Sequence, residues 1–173
     1  MRSKIALAPL CVSIALSLAC IVAAPMVNAA PPSDACSLLT KTEIKSVVGV
    51  AVADGKHPGK FPKQCMWTPP GGPSKALQNI ELTLQSADSF QASKSMLEAV
   101  VNSPKNQSSK SPIRMIPATG VGNDAFYSSV GSYSNLIVKK DDAVFQLVIY
   151  SNASIEKRQS MEKALASKIA SKL

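Results

Sequence analysis

The first thirty residues constrain the fold most, because they have the pattern of a segment that is removed before the rest of the chain folds. A short basic start precedes an uncharged, largely apolar run over residues 5–24. The run ends at Pro25 and the small-residue stretch Val27-Asn-Ala-Ala30. A basic start, an apolar centre and small residues before the cut are the parts of a secretory signal peptide. We therefore expect residues 1–29 to be a signal peptide that is cleaved after Ala29.

Two other fates remain open for this segment. An apolar run of about 20 residues is long enough to span a membrane, so the segment could be retained as a helix. Pro25 and the lack of a basic cluster after the run favour removal instead. Ser17-Leu-Ala-Cys20 contains the small residue and the cysteine of a lipoprotein signal, which would anchor the chain through Cys20. The serine in place of an aliphatic residue, and the apolar run beyond Cys20, favour cleavage after Ala29.

Removal of the signal changes the cysteine count of the remaining chain. Of the four cysteines, only Cys36 and Cys65 lie after residue 29. An exported chain meets an oxidising compartment, where two cysteines favour one disulfide; two free buried thiols are the alternative. We expect a Cys36–Cys65 disulfide. The remaining residues, 30–173, have about the length of one domain, so we expect a single domain.

Charge is the next constraint on function. Basic residues number nineteen and acidic residues eleven; two of the basic residues lie in the signal, so seventeen against eleven leave a net charge of +6. Only two of these seventeen are arginines, which base reading and bidentate phosphate recognition favour, so specific nucleic-acid binding is not expected. Lys56, Lys60 and Lys63 form the densest lysine cluster, in the turn-rich segment 50–63. They are a candidate patch for an anionic partner, and lysines that serve only solubility are the alternative.

Hydrophobic periodicity predicts the fold class. Ile80, Leu82 and Leu84 alternate with polar residues, which is the pattern of a half-buried strand. Thr40 and Glu43 have the spacing of a capping box that begins a short helix. Further strands are predicted at 64–68, 125–128, 135–139 and 143–150, with an edge strand near 113–116, and further helices at 88–102 and 154–173. Strands adjacent in sequence favour antiparallel pairing. We predict an α+β fold, with an antiparallel sheet of about five or six strands, three helices packed on it and one disulfide.

The final predicted helix has an apolar stripe and a basic face. Met161, Leu165 and Ile169 recur every four residues, as on the buried side of an amphipathic helix. Its basic residues are expected to point outward, as on a solvated face: Lys157, Arg158, Lys163, Lys168 and Lys172.

Two parts of the chain carry a resemblance to a known family. The first is Asp34-Ala-Cys-Ser-Leu-Leu-Thr-Lys-Thr-Glu-Ile-Lys-Ser-Val-Val-Gly49, followed by Cys65-Met-Trp67, and the second is Gly120-Val-Gly-Asn-Asp-Ala-Phe-Tyr127. They resemble the Cys-x-Leu-Leu-Thr-x-x-Glu, Gly, Cys-x-Trp and Gly-x-Gly-Asp/Asn-Asp-Ala-Phe/Tyr patterns of an uncharacterised family of bacterial exported or lipid-anchored proteins, a domain of unknown function. The resemblance covers nearly all of the chain after the signal. It implies a compact α+β domain similar to the PsbP-like sandwiches, with the two cysteines bridged, and it implies no catalytic residue.

Catalytic motifs are missing from the sequence. The single histidine, His57, lies among turn residues, and a general base needs a nucleophile and an orienting carboxylate beside it. The chain has no Gly-x-Ser-x-Gly, no His-Glu-x-x-His and no phosphate-binding glycine loop. We therefore expect no catalytic residue, no cofactor and no metal site.

The combined pattern favours an exported, non-catalytic binding module of the bacterial cell envelope, located in the periplasm or outside the cell. We expect a monomer without a transmembrane segment in the mature chain, and an envelope protein or an anionic envelope polymer as the partner. One alternative is a secreted inhibitor or immunity-type protein that acts through an exposed loop, 55–63 or 103–119. The other is a small enzyme that uses no histidine.

Overall fold

The computed structural model describes residues 32–173. The predicted signal peptide, its cleavage site and Cys20 lie outside the described residues. A single 3-10 turn at Ala35–Ser37 precedes the regular elements. The helices are α1 (Lys41–Val48), α2 (Ala87–Val101), α3 (Pro104–Gln107) and α4 (Ile155–Ala170). The strands are β1 (Gln64–Trp67), β2 (Asn79–Gln85), β3 (Arg114–Pro117), β4 (Asp124–Val130), β5 (Tyr133–Lys140) and β6 (Ala143–Tyr150).

The six strands form one antiparallel sheet in the order β1-β2-β6-β5-β4-β3. The predicted α+β class, the antiparallel sheet and its six strands are therefore confirmed. Three of the four helices have eight residues or more, and the fourth, α3, is a four-residue helix in a segment that we expected to be loop.

The main core lies on one face of the sheet. Side chains alternate between the two faces of a strand, so Ile80, Leu82 and Leu84 of β2 point the same way, and all three are buried. Helices α1 and α4 pack on this face, where they bury Ile44 and Leu165 in the same cluster. The predicted apolar stripe of α4 is thus confirmed.

Helix α2 covers part of the opposite face. Phe90 of α2 packs against Phe126 of β4, with 5.6 Å between the ring centroids. This second core is small, and Met96 of α2 is 72% exposed. The hydroxyl of Ser86 caps α2 by accepting the hydrogen bond from the Ser89 N–H, and the helix begins at Ala87, one residue before the predicted start at 88.

The first helix and the disulfide follow the sequence prediction closely. The Thr40 hydroxyl accepts from the Glu43 N–H at 3.2 Å, and the Glu43 carboxylate accepts from the Thr40 N–H at 2.8 Å. Helix α1 ends at Gly49, whose φ of 77° suits a residue without a Cβ. The disulfide Cys36–Cys65, with 5.0 Å between the Cα atoms, joins the 3-10 turn to β1.

Among residues 32–173, no helix is both long enough and apolar enough to cross a membrane.

Candidate functional site

Part of the lysine-rich segment 50–63 is an ordered extension of the sheet. The Ala53 N–H donates to the carbonyl of Thr68 at 2.8 Å. Lys56 and Met66 exchange two backbone hydrogen bonds, of 3.0 and 2.9 Å. These bonds hold the first half of the segment along the outer edge of β1. We expected this stretch to be an exposed loop, because its glycines, prolines and lysines are atypical of strands.

Gly55 lies against the disulfide. A Cβ atom at this position would be 2.5 Å from the Cys65 Sγ and 2.7 Å from the Trp67 Nε1. Both of these neighbours are buried, so they have little room to move. Only glycine lets the backbone approach the disulfide and the indole this closely.

The second half of the segment is attached at its end. The Pro62 carbonyl accepts from the Ala35 N–H at 2.9 Å, and the Lys63 carbonyl accepts from the Leu84 N–H at 2.7 Å. These bonds hold one end of the turn around Lys60, and the Lys56–Met66 pair holds the other end to β1.

The predicted lysine patch lies on this attached segment. We call Lys56, Lys60, Lys63 and Phe61 the basic loop surface; all four residues are exposed, and Phe61 is 64% exposed. Within the part of the chain that the structure describes, none of the three ammonium groups forms an ion pair. Three positive charges and one apolar ring are therefore exposed on this segment.

His57 stands beside this surface and is bound to protein groups. Its Nδ1 lies 2.7 Å from the carbonyl oxygen of Gln64, so the Nδ1–H donates to that oxygen. Its Nε2 lies 3.4 Å from a carboxylate oxygen of Asp34. Asp54, the nearer carboxylate in sequence, pairs with Lys41 at 3.0 Å instead. This arrangement orients the imidazole, and no hydroxyl or thiol among residues 32–173 forms a hydrogen bond with it.

One group of potential metal ligands surrounds the same histidine. Asp34, Cys36 and His57 each offer a ligand atom, and these atoms lie within 4.8 Å of one another. The sulfur of Cys36, however, is bonded to Cys65 and cannot act as a thiolate ligand. Two remaining ligands are fewer than a zinc site uses, so this group does not support a metal site.

A second feature, which we did not predict, is a gap between two central strands. The pairing of β5 with β6 runs from Lys140↔Ala143 to Leu136↔Leu147 and ends there. Beyond that point β5 stays paired with β4 as far as Tyr133, and β6 stays paired with β2 as far as Tyr150. The two strands therefore separate over the rest of their length.

Glu162 of α4 fills this gap. One carboxyl oxygen accepts from the Ile149 N–H at 3.2 Å, and the other accepts from the Ser134 hydroxyl at 3.3 Å. Burial raises the pKa of Glu162 to about 8, although these two hydrogen bonds and the charge of Arg158 act in the opposite direction. The carboxyl group consequently keeps its proton at neutral pH.

Arg158 lies one helical turn before Glu162, and its predicted exposure was wrong. The side chain is only 7% exposed, and its Nη1 donates to the carbonyl oxygens of Ser151 and Ala153 at 2.9 and 2.8 Å. These carbonyls belong to the connection between β6 and α4, and the guanidinium satisfies them. The Nη2 atom is buried and has no hydrogen-bond partner among residues 32–173.

A cavity of about 170 Å³ lies where the strands have separated. Arg158 and Ser134 line it together with Tyr133, Tyr150 and Gln78, and no aspartate or glutamate is among its lining residues. The rings of Tyr133 and Tyr150 lie 6.0 Å apart between their centroids. The cavity thus combines one buried cation with hydroxyl-bearing and amide side chains.

The structure therefore has two candidate sites, one predicted from the sequence and one not. The basic loop surface contains the predicted residues Lys56, Lys60 and Lys63, brought onto one attached segment. The cavity contains residues that sequence reasoning missed, since Arg158 was assigned to the solvated face of α4. The signal that could have found it is the helical spacing, because Arg158 and Glu162 continue the stripe of Leu165.

Comparison of the chain with family models, with curated proteins and with solved structures gives no match.

Proposed function

We propose that the protein is an exported, non-catalytic binding module of the bacterial cell envelope, which binds an anionic envelope polymer through the basic loop surface. One observation carries the proposal: Lys56, Lys60 and Lys63 are exposed and have no ion-pair partner within residues 32–173. Export and membership of the resembling family belong to the same proposal. They rest on the pattern of residues 1–29, on the sequence motifs and on the disulfide, which suits an oxidising compartment.

An attached loop suits the binding of a charged polymer. A flexible loop would lose conformational entropy on binding, and the bonds that fix this segment reduce that cost. Lysine ammonium groups recognise charge without fixed geometry, which matches a polymer whose anionic groups repeat but vary in orientation. Several weak contacts along one polymer then add up through high effective concentration.

The environment of His57 supports a non-catalytic function. Its two ring nitrogens lie against the carbonyl of Gln64 and the carboxylate of Asp34. Neither group is a nucleophile that a histidine could activate by removing a proton.

Phe61 favours a second candidate function, inhibition of a partner protein. Phe61 is 64% exposed on a fixed loop. Aromatic side chains are enriched among the anchors that become buried when a protein–protein interface forms. In that case the ring would enter a pocket of the partner, and the lysines would only speed the encounter.

The test compares two triple variants of equal charge. Purified lipopolysaccharide and teichoic acid serve as probes, and binding is measured by fluorescence anisotropy at low and at high ionic strength. Replacement of Lys56, Lys60 and Lys63 by Gln should weaken binding by roughly tenfold or more, and salt should weaken it in the wild type. The control variant carries Gln at three exposed lysines elsewhere: Lys105, Lys110 and Lys163.

An equal loss of polymer affinity in both triple variants would mean that only net charge matters and would refute the proposed surface. No binding of either polymer by the wild type would refute the polymer as partner. Phe61→Ser separates the two candidate functions, because it should leave polymer binding nearly unchanged and should abolish insertion into a partner protein.

A further inference from the structure

We propose that the cavity beside the β5–β6 gap is a binding site for a small oxyanion, either a short carboxylate or inorganic phosphate, with Arg158 as its main ligand. The proposal is independent of the basic loop surface, because none of the residues of that surface lines the cavity.

The size of the cavity limits the ligand. A cavity of about 150 Å³ holds a molecule the size of benzene. The present cavity, of about 170 Å³, therefore has room for a ligand of up to roughly eight non-hydrogen atoms. Phosphate and short carboxylic acids are within this limit.

The Nη2 atom of Arg158, which has no partner among the described residues, indicates that the ligand supplies a hydrogen-bond acceptor. A buried donor without an acceptor costs about 1–3 kcal/mol, and more when the group is charged. The Nη1 atom is already held by the carbonyls of Ser151 and Ala153, so the guanidinium is fixed before any ligand arrives. The Nη2 atom is itself buried and has no acceptor among residues 32–173. An oxyanion provides that acceptor and also a charge opposite to that of Arg158.

The remaining lining residues suit the same class of ligand. Tyr133 and Tyr150 carry hydroxyl groups, and Gln78 carries an amide, so each is able to donate to an oxygen atom. The Ser134 hydroxyl already donates to Glu162. Among the lining residues, none bears a negative charge that would repel an anion.

The charge of the site depends on the groups around it. The Glu162 carboxyl is hydrogen-bonded to Ser134, which lines the cavity. Burial keeps this carboxyl neutral below about pH 8, so it does not cancel the charge of Arg158. Tyr127 of β4 stays neutral as well, since burial and the nearby Glu162 raise its pKa to about 12. Burial, Tyr133 and Glu81 raise the pKa of Tyr150. We therefore expect oxyanion affinity to fall as the pH rises through about 8 and Glu162 ionises.

The test measures binding of phosphate and of acetate to the purified protein, with chloride at equal ionic strength as reference. Isothermal titration calorimetry gives the affinity, and amide NMR shifts of Ser134, Ile149 and Ser151 give the location. Arg158→Lys keeps the positive charge but removes the planar fork, and it should weaken binding by roughly tenfold. The matched control is Arg114→Lys, at an exposed arginine of β3, which should bind like the wild type.

A second variant guards against misfolding of Arg158→Lys. Gln78 is exposed and lines the cavity, so Gln78→Trp should block the cavity while leaving Arg158 and its two carbonyl partners in place. Loss of binding in both variants, with retention in Arg114→Lys, supports the site. Shifts of the same size for chloride, or binding that survives Gln78→Trp, would overturn it. Phosphate without acetate binding, or the reverse, identifies which of the two oxyanions the site selects.

Discussion

At the scale of single residues, the carboxyl group of Glu162 makes stability depend on pH. Its pKa is 4.5 in an ordinary environment and about 8 in the fold. Below about pH 4.5 both the folded and the unfolded chain hold the proton, so the contribution of Glu162 is fully present. As the pH rises toward 8, the unfolded chain releases a proton that the folded chain keeps, so the free energy of unfolding decreases.

Glu162→Gln should remove this dependence. The amide retains an oxygen that accepts from the Ile149 N–H, its NH₂ group is able to donate to the Ser134 oxygen in place of accepting from it, and it cannot ionise. The unfolding free energy of the variant minus that of the wild type should increase by on the order of 3 kcal/mol from about pH 5 to pH 9. Urea denaturation at several pH values measures this difference. Glu98→Gln, at an exposed residue of α2, is the control and should parallel the wild type; parallel curves for Glu162→Gln would show that the group is not neutral in the fold.

Gly55 gives a second prediction at the same scale. An added Cβ would overlap the Cys65 Sγ and the Trp67 indole, so Gly55→Ala should lower the unfolding free energy by about 1–3 kcal/mol, as overpacking does. Thermal unfolding followed by tryptophan fluorescence measures the loss, since Trp67 is the single tryptophan. The neighbouring variant Asp54→Ala breaks only an exposed ion pair with Lys41 and should change stability by less than about 1 kcal/mol. Equal effects of the two variants would contradict the close approach at Gly55.

At the scale of elements, the residues that follow α4 are tied to the start of α1. The Lys172 ammonium donates to the Leu38 carbonyl at 2.9 Å and pairs with the Glu43 carboxylate at 2.9 Å. Burial alone would raise the pKa of Glu43, but hydrogen bonds from Lys172 and Thr40 outweigh it and lower the pKa to about 2. A carboxyl with a lowered pKa stabilises the fold above its ordinary value of 4.5, and this contribution is lost as the pH falls through about 2.

Glu43→Gln should therefore destabilise the protein at neutral pH by about 1–3 kcal/mol and have little effect near pH 2. Lys172→Met should give a similar loss, because it removes the partner of the same carboxylate. Lys168→Met is the matched control, since Lys168 lies on α4 without an ion pair among the described residues. Chemical denaturation at the two pH values decides the matter: a loss that is equal at both would exclude an ionised Glu43 as its cause.

The elements themselves were predictable where one residue pattern decides them. The alternation at Ile80, Leu82 and Leu84 identified β2, and the capping box at Thr40 and Glu43 identified the start of α1. Both signals are local, since they depend on periodicity and on a hydrogen bond between near neighbours.

The cavity was not predictable because it depends on contacts between distant segments. Arg158 and Glu162 follow the helical spacing of the buried stripe, but charged side chains are seldom buried, so composition assigned Arg158 to solvent. Their partners, Ser134 and Ile149, come from two different strands. The hydrophobic pattern of β5 and β6 gives no sign of where their pairing ends.

At the scale of the whole molecule, the disulfide attaches the N-terminal part of the described chain to the edge of the sheet. It closes a loop with a sequence separation of 29 between Cys36 and Cys65. By the chain-entropy model such a bond stabilises a fold by about 3–4 kcal/mol. This is a large share of the ~5–15 kcal/mol that holds an ordinary domain together.

Cys36→Ser should therefore lower the melting temperature by on the order of 10 °C and expose the enclosed loop to protease. The structure also predicts where trypsin cuts first. Lys56 keeps its two backbone hydrogen bonds to Met66 without the disulfide, whereas the turn at Lys60 depends on the bonds of Pro62 and the bridged 3-10 turn. Cleavage should begin after Lys60, which mass spectrometry of brief digests detects. The oxidised wild type under the same conditions is the control, and first cleavage after Lys56 would mean that the disulfide, rather than the strand edge, holds that stretch in place.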